Sequence, residues 1–382
     1  MLPFVLMGKT IAYLNPLDAQ YDIFFFFPGF AIGGAERVNA EIIKSVSDKK
    51  AIIFFTKKSP NSGMRHFFEL PNITIREIGF WTDNKWLYLF NFIYRGICST
   101  YINKQKNKPI IFNGQSNFGY KISPYIKSSI KIIELIHMYD PRFTWVWAPF
   151  IKYIDTRILI SETIKEKFRF CYEKNKIPLK YLESIVIIDY CLEFLPDKLT
   201  KKNFDFPLKI YYAGRGGPQK RVGMIVRIIE KCRQLNLPVV FKLAGPFKDE
   251  LPSEIIDNDI YLGEIQGGGD MYKLHQQNDI LLMTSAWEGF PIVIMEAMSF
   301  GSIPLVTDVD AIPDHLFECQ NAFLLDSSKT EQEIIGEAIQ KIEFIIENRN
   351  LLSNISKRAF EDVTSKFSPQ KFRNRYRELL LN

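Results

Sequence analysis

The chain has 382 residues, more than one hydrophobic core can serve, and its 47% apolar and 24% charged composition excludes a disordered protein, so two domains are expected. Five cysteines scattered singly, with no CxxC and only four histidines, exclude a disulfide scaffold, a cysteine-based zinc site and a histidine-rich metal cluster. The net charge of +6 divides unevenly, with 27 Lys/Arg against 18 Asp/Glu in residues 1–200 and 22 against 25 in residues 201–382.

A basic first half suits phosphates or an anionic membrane surface. Nucleic acid is not indicated, because no basic stretch is dense and no nucleic-acid motif appears. The opening MLPFVLM is apolar, but no cationic segment precedes it and it is too short for a secretory signal. No run reaches the roughly 18–20 apolar residues that span a bilayer. With unpaired cysteines, the expectation is a cytoplasmic protein, soluble or peripheral on the inner face of the cytoplasmic membrane.

From Ile23 onward, short β-branched or aromatic runs alternate with amphipathic stretches of helical length. Strands are expected at Ile23–Phe27, Ala51–Phe55, Ile73–Ile78, Ile110–Phe112, Ile130–Ile136, Arg157–Ile160 and Ile185–Ile188. Helices are expected at Glu36–Val46, Lys85–Asn103, Tyr120–Lys127 and from Ser161, a good N-cap, to Arg169. The aromatic and basic stretch Phe80–Lys108 reads either as a buried helix or as an interfacial one. Near-continuous apolar strands in β-α-β order mean a parallel sheet covered on both faces. Pro196–Pro207, polar and bracketed by prolines, is the best linker.

A second alternation follows, with strands at Lys209–Ala213, Val239–Ala244, Ile260–Leu262, Ile280–Met283, Ile303–Val306 and Phe323–Leu325. Helices are expected near 219–234, 269–277, 291–300, 330–348, 350–366 and 369–381. The expected division is residues 1–195, a linker at 196–207, residues 208–366, and a C-terminal helix at 367–382 packing back on the first domain. Doubly wound sheets bind ligands at the carboxyl ends of their strands, so a cleft between the two domains is the expected site.

Three motifs sit at such ends. Gly33-Gly34 follows the first strand and opens a helix; it is either an anion-binding turn or an ordinary strand-to-helix turn. Gly214-Arg215-Gly216-Gly217-Pro218-Gln219-Lys220 follows Lys209–Ala213 and sets two cations where a diphosphate would be met by charge and backbone donors. A solvated turn is the plain alternative. In Thr284–Pro291, Gly289 allows a tight turn and Pro291 suits the first position of a helix, so N–H groups near Phe290 and Ile292 would face a ligand. Glu296, about five residues up that helix, leans back toward its start, and Glu288 precedes it. Two carboxylates there suit the hydroxyls of a sugar; otherwise Glu288 caps the turn and Glu296 is solvated.

His137 ends the strand Ile130–Ile136, while His66, His275 and His315 read as structural. The triplets Asp257-Asn258-Asp259 and Asp308-Val309-Asp310 each fit either a divalent cation or a polar turn, the first on the wrong side of its sheet.

Together these residues resemble a family 4 retaining glycosyltransferase with the GT-B fold, two Rossmann-like domains facing across a cleft. The resemblance runs from about Asp22 to the C-terminus and is strongest at Glu288-x7-Glu296 within SAWEGFPIVIMEAMSFGSIPLVTDV. It implies transfer from a nucleotide-diphosphate sugar to an acceptor hydroxyl with retention of anomeric configuration. Arg215 and Lys220 would bind the diphosphate, Glu296 the ribose, and Glu288 and His137 would lie by the donor sugar. Backbone at Gly289, Phe290, Pro291 and Ile292 would contact that sugar, and Gly33, Gly34 and Gly214 would line the phosphates. No cofactor or metal is implied, since the cations and a helix N-terminus meet the leaving charge. The acceptor would be a glycan or lipid-linked glycan, as in bacterial surface polysaccharide synthesis.

The chain departs from the family where Arg221 replaces a Gly, Met138 an Asp, Asp189-Tyr190 an Asn-Gly, and Phe300 and Asp310 smaller residues. Alternatives on the same architecture are a nucleotide-sugar epimerase, a sugar phosphorylase, or a non-catalytic sugar-nucleotide-binding subunit.

Overall fold

A computed structural model describes residues 2–31, 33–257, 259–265 and 268–381, and the chain divides into two compact units. The first comprises Met1–Asp189 with Gln370–Asn382, the second Tyr190–Pro369. The division falls at Asp189/Tyr190, where the resemblance had marked an Asn-Gly replaced, rather than at 195/196.

In the first unit, β1 (Ile23–Phe27), β2 (Ala51–Phe55), β3 (Ile73–Glu77), β4 (Ile110–Asn113), β5 (Ile132–Leu135), β6 (Thr156–Leu159) and β7 (Ile185–Ile187) form one parallel sheet. Its order is β3-β2-β1-β4-β5-β6-β7. Every residue of β1 (IFFFF) and β2 (AIIFF) is buried, which is why these strands read as unbroken apolar runs. Cross-strand rings stack, as Phe26 on Phe54 at 5.2 Å between centroids. Burial of each such ring contributes about 2–3 kcal/mol.

From Gln370 onward the helix Pro369–Leu381 belongs to the first unit. Arg373 donates to the Glu41 carboxylate at 2.6 and 2.8 Å, Arg377 forks onto Asp48, and Tyr376 packs edge-on against Phe112.

The second unit holds β8 (Leu208–Ala213), β9 (Val239–Ala244), β10 (Ile280–Met283), β11 (Ile303–Thr307) and β12 (Phe323–Leu325), also parallel, in the order β12-β11-β10-β8-β9. The crossovers include the helices Val222–Gln234, Gly268–Gln277 and Ile292–Ser299, and after the last strand comes Glu331–Glu347 with a full capping box at Thr330. The segment expected as a linker lies in this unit. Its Phe204 is buried and its Lys202 donates to the carbonyl of His275 at 2.7 Å.

Three expectations change. Ile260–Leu262 is no strand but a single bridge from Tyr261 to Leu243, because Gly263 turns the chain at φ +76°. The helix expected at Tyr120–Lys127 starts earlier and stops sooner, at Asn117–Ile122. Ser116 caps it, and Pro124 in the following tight turn has no N–H to continue it. Leu2–Leu14 is a helix that the sequence did not announce.

Candidate active site

The loop after β8 is shaped by glycine. Gly217 holds φ +95°, a conformation side chains rarely adopt, and a Cβ on Gly245 would meet the Gly214 carbonyl at 1.8 Å. Two backbones therefore touch where β8 and β9 end. Arg221 also takes a left-handed conformation, φ +52°, at the cap of Val222–Gln234. This costs about 1 kcal/mol or more for a residue with a side chain. Its guanidinium offsets that cost by donating to the carbonyls of Thr284 and Ser285 at 2.5 and 3.0 Å.

Further bonds join this loop to the one after β10. Ala286 N–H donates to the Gln219 carbonyl at 2.8 Å, Gln219 Nε2 to the Trp287 carbonyl at 2.9 Å, and Thr284 Oγ1 to the Lys220 carbonyl at 3.3 Å. Two motifs about 70 residues apart in sequence thereby become one surface.

At its centre Lys220 Nζ forms an ion pair with Glu288 Oε1. Both side chains are largely buried, at 12% and 7% exposure, so Lys220 does not fit the solvated-turn alternative. Arg215, from the same loop, is exposed. Glu288 is held twice over, since its backbone N–H donates to Asp310 Oδ2 at 2.7 Å. Its carboxylate, together with burial, raises the phenol pKa of Tyr190 and Tyr212, with burial the larger cause.

Pro291 is the cap rather than the first residue of Ile292–Ser299. Phe290 turns its ring inward against His315 and Phe367, leaving its backbone and that of Gly289 as what it can offer a ligand. Glu296 is not a solvated helix residue: it is 6% exposed. Its Oε2 lies 3.7 Å from His275 Nε2, too long for a hydrogen bond but within Coulomb range. His275 Nδ1 is in turn 2.6 Å from the Tyr211 hydroxyl. When that hydroxyl donates, the imidazole proton sits on Nε2 and faces the carboxylate. His275 reads as structural from the sequence, and no local pattern ties it to Glu296, 21 positions away.

The remaining candidates lie in the first unit. His137 follows β5, its N–H donating to Gln115 Oε1 at 3.1 Å. Burial pushes its pKa down to about 4, so the imidazole is neutral near pH 7. Gly33 caps the helix Gly34–Ser45 in extended backbone. A Cβ there would meet Glu36 Oε2 at 2.4 Å, so a carboxylate stands at that helix start.

Of the acidic triplets, Asp308 Oδ1 accepts from Ser327 N–H at 2.7 Å and Asp310 holds Glu288, which gives the second triplet a positioning role. Asn258 of the first lies outside the described residues. Among the described residues, no three His, Cys, Asp or Glu side chains gather as a metal site.

Residues 198–362 match the family model "Glycosyl transferases group 1". The chain is similar to sulfoquinovosyl transferase SQD2 of Arabidopsis thaliana, 24% identical over 170 residues, which are 44% of this chain and 32% of that protein. It is similar to trehalose synthase of Thermococcus litoralis, 22% identical over 279 residues, 64% of this chain and 66% of that one. The matches thus span about a third to two thirds of these relatives. Among solved structures, Anabaena HepE in complex with UDP-glucose superposes with a TM-score of 0.69 at 16% identity, covering 94% of this chain and 98% of that one. The fold of the two units is therefore GT-B.

Proposed function

We propose that the protein, whose residues 198–362 match the group 1 glycosyl transferase model, moves a sugar from a nucleoside-diphosphate sugar to an acceptor hydroxyl, with retention of anomeric configuration. The observation that carries this reading is the buried Lys220–Glu288 pair on two loops stitched together at the ends of β8 and β10, with Glu296 one helix further in. An ammonium has three donors; Glu288 takes one and orients the others toward a diphosphate. Arg215, exposed, adds a planar fork for phosphate oxygens. The start of Ile292–Ser299 contributes the positive end of its dipole.

These groups would stabilise the charge that develops on the leaving diphosphate. Glu296 would accept from the ribose hydroxyls and Glu288, through its other oxygen, from the donor sugar. Neutral His137 would serve as a hydrogen-bond partner of the transferred sugar, not as a cation. UDP-glucose, in complex with HepE in its structure, is of this class. The acceptor would be a glycan or a lipid-linked glycan taken by the first unit, with the enzyme at the cytoplasmic face of a membrane.

No divalent ion is needed in this scheme, because the cations already meet the phosphate charge. A screen of nucleotide sugars for hydrolysis, run with and without chelator, tests it. One donor should be cleaved, equally well in both arms. Loss of cleavage with chelator and rescue by magnesium or manganese would contradict metal independence, and no cleavage of any donor would contradict the transferase reading.

A further inference from the structure

The helix Leu2–Leu14 packs along the helix Tyr88–Asn103 at backbone contact. A Cβ on Gly8 would meet the Ile93 carbonyl at 1.9 Å, and one on Gly96 would meet the Val5 carbonyl at 2.1 Å. Further along, Tyr101 Oη donates to the Asn15 carbonyl at 2.9 Å. Gly8 beside Gly96 and Asn15 beside Tyr101 make the two helices parallel, so their N-terminal ends lie together.

Only Val5, Gly8 and Ala12 of the first helix are buried. Leu2, Leu6, Met7, Tyr13 and Leu14 stand exposed, and Lys9 is the one charge on that helix. At the matching end of the second helix Tyr88 and Leu89 are exposed, and Trp86 just before them is 95% exposed.

Charge around this apolar face is mainly cationic, with exposed Asp83 three residues before Trp86 and exposed Asp18 four after Leu14 as the acids nearest in sequence. Between Asp83 and Glu134 the chain carries eight Lys/Arg and no Asp or Glu. Cations also lie over rings of the region: Lys104 Nζ is 3.4 Å from the Tyr13 centroid, Lys58 4.9 Å from Phe80 and Lys121 5.9 Å from Tyr88. A second copy seated on this face would oppose lysine to lysine. An anionic bilayer answers both features, taking aromatic and aliphatic side chains at headgroup depth and pairing its phosphates with the lysines.

We propose that the Leu2–Leu14 and Tyr88–Asn103 helix pair is a monotopic docking element that seats the first unit on an anionic lipid surface, with Leu2, Leu6, Met7, Trp86 and Leu89 entering the bilayer interface. It crosses no membrane: no helix among the described residues is long and apolar enough. The lipid-linked acceptor proposed above would be reached this way, but the docking stands without it.

Co-sedimentation with vesicles of phosphatidylcholine, alone or mixed with phosphatidylglycerol, tests the element. The wild type should pellet with the anionic vesicles at low salt and progressively less as salt rises. Leu6→Glu/Met7→Glu, Trp86→Ala and Lys104→Glu/Lys106→Glu/Lys108→Glu should each bind roughly tenfold or more weakly. Leu235→Glu, on an exposed site of the second unit, should bind as the wild type. Wild type left in the supernatant at low salt, or variants that pellet like the wild type, would overturn the proposal. So would a dimer in light scattering that Leu6→Glu/Met7→Glu dissolves, which would give the face to a second copy. Donor hydrolysis without vesicles should be unchanged in these variants. Its absence in the wild type, with vesicle binding intact, would count against the transferase reading alone.

Discussion

Lys220→Ala is expected to lower turnover by roughly 10²- to 10³-fold, the usual consequence of removing one donor to a developing anion. It should also lower the stability of the second unit by roughly 3 kcal/mol, because it strands Glu288 at 7% side-chain exposure. Arg215→Ala separates these effects: the same loss of turnover is expected with an unchanged melting temperature, since that side chain is exposed. Adding Glu288→Gln to Lys220→Ala should restore much of the stability and none of the activity. Paired kinetics and thermal melts of the three variants check this. Near-normal turnover in both single variants would remove the cations from the chemistry.

The two glutamates should fail differently. Glu296→Gln should weaken binding of the free nucleoside diphosphate by roughly tenfold or more, as expected when hydroxyl donors lose their charged acceptor. Glu288→Gln should leave that affinity within a few fold while cutting turnover, if its second oxygen serves the sugar as proposed. Isothermal titration of both variants with the nucleoside diphosphate, beside turnover with the full donor, reads the difference. The reverse pattern would mean that the assignments are exchanged.

Where structure depends on short-range pattern, the sequence carried it. Ile23–Phe27 and Ala51–Phe55 are legible because a parallel sheet buried on both faces leaves no polar alternation to confuse. Gly214 to Lys220 and Glu288-x7-Glu296 are legible because each lies on one loop or one helix start. The helix Leu2–Leu14 hid for the opposite reason: its exposed side is as apolar as its buried side, so no 3.6-residue period appears.

Contacts across the chain were also out of reach. Nothing near Lys220 reveals that Glu288 draws it into the interior, and nothing near Arg221 reveals that carbonyls 63 and 64 residues away offset its strained backbone. Asp310, a metal candidate as part of a triplet, holds the backbone of Glu288 because both loops leave the same end of the sheet.

The central claim is retaining transfer from a nucleoside-diphosphate sugar, and proton NMR of the new glycosidic linkage tests it most directly. Incubated with the donor that the screen selects and an acceptor, the protein should release nucleoside diphosphate and form a glycoside whose anomeric proton shows the configuration of the donor. An anomeric proton of the opposite configuration would contradict the account.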